Sequence, residues 1–153
     1  MKKSIVLVLL ASNSFFLKAQ DPDYSKFFFA IITSEIESSL EWYERIGFNK
    51  INYREVESMG IKQANLNYGK VYLELIELSS ATDPKEQIPD FSQKTKLAGL
   101  FKVGFAVKDF DQFLSLIEKS RVERSGGVVN DPISGKRMLI LLDPDGNRIQ
   151  VFE

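Results

Sequence analysis

An α+β fold of two βαβββ modules, forming a curved mixed sheet around a cleft, is predicted by three observations. An apolar β-rich run followed by an amphipathic helix occurs twice, and three more strand-like segments follow each occurrence. Equivalent positions of the two copies stand about 75 residues apart, which is too long for a solenoid period and suits a duplicated half-domain. Thr33 before the first helix answers to Val107 before the second, and Glu74 answers to Gln150.

The first module is expected over residues 26–80. Lys26 to Thr33 is an apolar run rich in Phe and Ile, the composition of a strand. Ser34 with Glu37 three residues later reads as a capping box, and Ile36, Leu40, Tyr43 and Ile46 then recur at helical spacing until Gly47 ends the helix. That stripe leaves Trp42 partly exposed or at an interface. Strands are expected near 50–55, 61–67 and 70–78, the last two joined by the Tyr68-Gly69 turn. Residues 81–97 carry Pro84 and Pro89 without periodicity and read as a polar connecting loop.

The second module is expected over residues 98–153. Leu100 to Val107 is its first strand, Asp109 its helix N-cap, and Phe110, Phe113, Leu114 and Ile117 its buried helical stripe. Strands at 126–129, 136–142 and 147–152 complete it, the last entered through Asp143-Pro144-Asp145-Gly146-Asn147. In that turn Pro144 pre-sets φ, Gly146 accepts a positive φ, and Asp143 bonds its own backbone two residues on. Antiparallel strands covered by a helix on one face leave the other face to be buried elsewhere, so two such modules facing each other enclose a cleft.

With 153 residues, 44% of them hydrophobic, the chain suffices for one ordinary core. Twenty basic residues against 21 acidic ones leave a formal charge of -1, so the total charge favours neither nucleic acid nor an anionic membrane surface. Residues 1–19, with Lys2 and Lys3 ahead of the apolar run Ile5 to Leu10, are expected to be a secretory signal peptide cleaved after Ala19. The mature protein is then periplasmic or extracellular and free of the membrane. Cysteine is absent, so the core alone must hold the fold. Histidine is absent as well, which removes the commonest transition-metal ligand, the commonest general base and every Ser-His or Cys-His nucleophile.

The helix segment Ser39-Leu40-Glu41-Trp42-Tyr43-Glu44-Arg45-Ile46-Gly47-Phe48, the stretch Val107-Lys108-Asp109-Phe110-Asp111, the terminal turn and the doubled βαβββ order together resemble the vicinal oxygen chelate superfamily. That superfamily includes glyoxalase I, the bleomycin- and fosfomycin-resistance proteins and the extradiol dioxygenases. The resemblance covers about residues 26–153. It implies a homodimer and, in metal-dependent members, four His or Glu ligands on the first and fourth strands of each copy.

Those positions fall here on Phe28, Glu74, Lys102 and Gln150, of which only Glu74 matches. One carboxylate, one amide, a phenyl ring and an ammonium make a poor cation site, so no metal or other cofactor is expected. The alternative is a divalent metal held through Glu74, with Glu77 turned inward by a one-residue register shift. Lys102 and Glu74 are expected to pair where the ion would sit, within one chain or between two. They are also the weak catalytic candidates, as acid and base or, for Lys102, as a Schiff-base nucleophile. Phe28, Tyr72, Glu74, Lys102, Arg148 and Gln150 are the expected ligand cleft, suited to a small polar or aromatic molecule. The resemblance is thus to the resistance and sequestering members more than to the metal enzymes, with a glyoxalase-like or dioxygenase-like enzyme as the alternative.

Overall fold

A computed structural model describes residues 26–92, 95 and 98–153. The expected leader lies outside the described residues. Two four-stranded mixed sheets form, one per module, rather than one continuous sheet. The first contains β1 (Phe27–Ile32), β2 (Asn49–Val56), β3 (Ile61–Tyr68) and β4 (Val71–Leu78), in the order β1-β4-β3-β2. Its helix α1 (Ile36–Arg45) connects β1 to β2. The second repeats this with β5 (Val103–Ala106), α3 (Phe110–Lys119), β6 (Val129–Asn130), β7 (Arg137–Leu142) and β8 (Arg148–Phe152), in the order β5-β8-β7-β6. In each sheet the first strand lies parallel to the fourth and the other pairs are antiparallel.

Side chains alternate along each strand, and this sorts the sheets into two faces. Phe29, Leu73, Leu75, Ala64 and Leu66 of the first sheet are buried beside Ile36, Leu40 and Tyr43 of α1. Phe105, Leu139, Leu141, Ile149 and Val151 do the same beside Phe110, Phe113 and Ile117 of α3. Both sets belong to one core. They meet where Phe105 stands edge-on to Phe48 at 5.7 Å and tilted to Tyr68 at 5.4 Å between ring centres.

Four local expectations are corrected. Ser34 does not cap α1: the helix begins at Ile36, its N-cap Glu35 makes no side-chain cap, and the Ile36 N–H donates instead to Glu77 Oε2 at 2.8 Å. Trp42 is 8% exposed and packs edge-on against Tyr43, so it belongs to the core. The connecting segment includes a short helix, α2 (Pro84–Gln87), capped by Asp83. The strand expected at 126–129 shrinks to β6, since Gly126 takes a positive φ and breaks the extended run.

Candidate functional site

The modules are joined by the terminal turn. Asp143 accepts from Asp145 N–H, Asn147 N–H, the Asn147 side-chain amide and the Tyr43 hydroxyl, the last across 100 residues of sequence. Asp145 accepts from the Thr33 hydroxyl at 2.6 Å and from the Ser34 N–H at 3.1 Å. The turn therefore clasps the segment that leaves β1 and the last turn of α1. Burial, then Asp143 beside it, raises the Tyr43 phenol far above its ordinary range and keeps it a donor.

The other face of the first sheet is furnished differently. Phe28 and Tyr72 stand opposite each other in the β1–β4 register, and Phe28 is 61% exposed. Lys26 Nζ sits 5.2 Å from the centre of the Tyr72 ring. Beside these aromatics, the Arg54 guanidinium donates to Gln63, and the Gln63 amide donates to Glu74. This ladder crosses β2, β3 and β4. Sequence reading picked out Glu74 but missed Arg54 and Gln63. The polar alternation Gln63, Asn65, Asn67 between Ala64 and Leu66 was the available signal.

The six expected cleft residues therefore separate. Phe28, Tyr72 and Glu74 share the first sheet's outer face. Lys102 and Arg148 line a cavity of about 250 Å³ with Phe101 and Asn147. Gln150 is 2% exposed, and its amide contacts the Met138 sulfur. Among the described residues no ion pair joins Glu74 to Lys102 within the chain: Glu74 is held by Gln63, and Lys102 is near Asp131. The expected intrachain pair is not formed: Glu74 lies on β4 of the first sheet, whereas Lys102 precedes β5 of the second.

The register also decides the position of Glu77. Leu73 and Leu75 face the helix, and Glu77 follows them, capping α1 and pairing with Lys62 Nζ at 3.0 Å. It does not join Glu74. A metal at the four family positions would find a phenyl ring, a carboxylate already accepting from an amide, an exposed ammonium and an amide turned to sulfur. That donor set does not fit a divalent cation.

Comparison with known proteins places this geometry. Residues 27–151 match the Glyoxalase/Bleomycin resistance protein/Dioxygenase superfamily. An uncharacterized protein of Bacillus subtilis (strain 168), YwkD, is 30% identical over 125 residues, covering 81% of this chain and 92% of that one. The crystal structure of SMU.1112c superposes with a TM-score of 0.67 at 25% identity, covering 83% of this chain and 96% of that one. A glyoxalase family protein from Enterococcus faecalis gives a TM-score of 0.66 at 20% identity, covering 86% and 98%.

Proposed function

Since the chain belongs to the Glyoxalase/Bleomycin resistance protein/Dioxygenase superfamily, we propose that it is an exported, metal-independent member that binds a small polar or aromatic ligand on the outer face of its first sheet. The observation that carries this reading is the Arg54–Gln63–Glu74 ladder set beside the exposed Phe28 and Tyr72. Aromatic surface bordered by a few fixed polar groups is the usual make-up of a ligand site. The guanidinium and the carboxylate orient a polar substituent, while the rings take the apolar body. Phe28 and Ile32, 61% and 55% exposed on this face, also favour a homodimer in which a second copy closes the cleft.

The test is thermal shift of the purified protein against small polar aromatics and divalent ions, followed by titration of Arg54→Gln and Tyr72→Ala. A stabilising aromatic whose binding weakens about tenfold in both variants supports the site, given the strength of charged hydrogen bonds and ring contacts. A stoichiometric ion with a matching stability gain overturns the metal-free reading. Export is tested by the N-terminus of protein recovered outside the cytoplasm, expected to start at Gln20, and retention of Met1 there refutes cleavage.

A further inference from the structure

The two helices end in the same motif with different residues at its critical position. After α1, Gly47 N–H donates to Glu44 O and Phe48 N–H to Tyr43 O, with Gly47 at φ 101°. After α3, Arg121 N–H donates to Glu118 O and Val122 N–H to Ile117 O, with Arg121 at φ 53°. This helix stop calls for a left-handed residue, and glycine takes that conformation without the steric cost a side chain incurs. The first module has the glycine, whereas the second carries an arginine against that preference.

Arg121 lines a cavity of about 730 Å³ at the module junction. Arg45 and Arg148 line it too, with Trp42, Leu142 and Asp145. Arg45 spends its Nε and Nη2 on the Ser120 carbonyl, and Arg148 lies 4.9 Å over the Phe101 ring. None of the three arginines has a carboxylate partner among the described residues. Of the acidic groups on the wall, Asp143 and Asp145 are engaged by Tyr43, Asn147, Thr33 and Ser34, which leaves Glu123. The Arg121 and Arg148 guanidiniums, without a carboxylate partner among the described residues, offer forked donors to an oxyanion at this cavity.

We propose that this cavity is a second binding site, separate from the sheet face, for a small organic oxyanion: a carboxylate or phosphate ester whose apolar body lies against Trp42. Arg121 and Arg148 hold the anion, and Arg45 orders the wall by tying α1 to the end of α3. Trp42 is the chain's single tryptophan, so its emission reports on this cavity.

The experiment titrates the full chain with phenyl phosphate, benzoate and neutral benzamide, following Trp42 emission and heat in parallel. A saturable Trp42 response to an anion, without a Trp42 response to benzamide, is expected. Arg121→Gly restores the residue found in the first module, so it should keep or raise the unfolding temperature while weakening the anion about tenfold. Arg148→Gln should weaken it similarly, and Arg54→Gln, on the sheet face, should not. Three results overturn the proposal: no saturable Trp42 response to either anion, an equal Trp42 response to benzamide, or unchanged affinity in Arg121→Gly. Loss in Arg54→Gln with retention in Arg121→Gly moves the ligand to the sheet face and overturns it as well.

Discussion

The two modules share an architecture, yet their helices are closed by opposite means at opposite ends. At its start, α3 is capped locally, Asp109 accepting from Gln112 N–H at 2.8 Å. The start of α1 lacks a local cap and takes the Glu77 carboxylate from β4. At the other end the roles reverse, Gly47 serving α1 in the ordinary way and Arg121 standing at the same position after α3. Each module thus follows the local rule at one helix end and departs from it at the other. A departure marks a place where a distant demand outweighed local preference: at Glu77 the demand is the joint between helix and sheet.

The strongest way to break the pairing of the modules is Asp143→Ala. It leaves the Tyr43 hydroxyl and the Asn147 amide without their acceptor and unties the terminal turn. The Tyr43 hydroxyl is buried, and an unsatisfied buried donor costs about 1–3 kcal/mol, so with the turn untied a loss of about 3 kcal/mol in chemical denaturation is expected. If the turn merely connected β7 to β8, the loss would stay below about 1 kcal/mol, the range of an ordinary surface change.

Next in size is the contrast between the two helix starts. Glu77→Ala removes a cap and the partner of Lys62 together, and is expected to cost about 2 kcal/mol, the upper end for capping residues. Asp109→Ala removes one exposed cap and should cost about 1 kcal/mol. Equal losses in the two variants, measured by urea unfolding, would show that the distant cap is worth no more than the local one.

These contrasts also explain what could be read from the chain. The Asp109 cap, the Gly47 stop and the Tyr68-Gly69 turn depend on residues within a few positions of one another, and all were legible. The apolar stripes of α1 and α3 were legible for the same reason. Ser34 looked like a cap because Glu37 follows it, but its N–H and hydroxyl were drawn to Asp145, 111 residues away. Trp42 falls outside the stripe that α1 shows its own sheet, and no local pattern reveals that it packs edge-on against Tyr43 at a cavity it shares with Val122 and Leu142 of the other module. In the candidate site, Glu74 stands out through the family resemblance, as the one residue that matches a ligand position. The family's ligand pattern implies Lys102 as its partner, but Glu74 finds a neighbour on its own sheet, Gln63, instead. Face alternation is a local property, whereas the meeting of faces is not.

The finest contrast is in acid, where Glu77 and Asp143 titrate with opposite sign. Burial raises the Glu77 pKa, but the Ile36 N–H and Lys62 outweigh it, so the group lies below its ordinary 4.5. Its stabilisation is present above that value and is lost as pH falls through the lower folded pKa. For Asp143 burial prevails over the bonds from Asn147 and Tyr43, and the pKa lies above its ordinary 3.8. Its contribution is present below 3.8 and is lost as pH rises through the higher folded pKa. As acid is added around these values the two therefore act on stability in opposite directions. Asp143→Asn removes the opposing member, so its stability should fall more steeply with acid than that of the parent, whereas Glu77→Gln should fall less steeply. Asp111, Asp131 and Glu153 also lie below their ordinary values, but they are common to all three proteins and drop out of the differences. Unfolding free energies that run parallel with pH in the three proteins would refute the opposed titration, and a reversed order of slopes would assign the burial penalty to Glu77 instead.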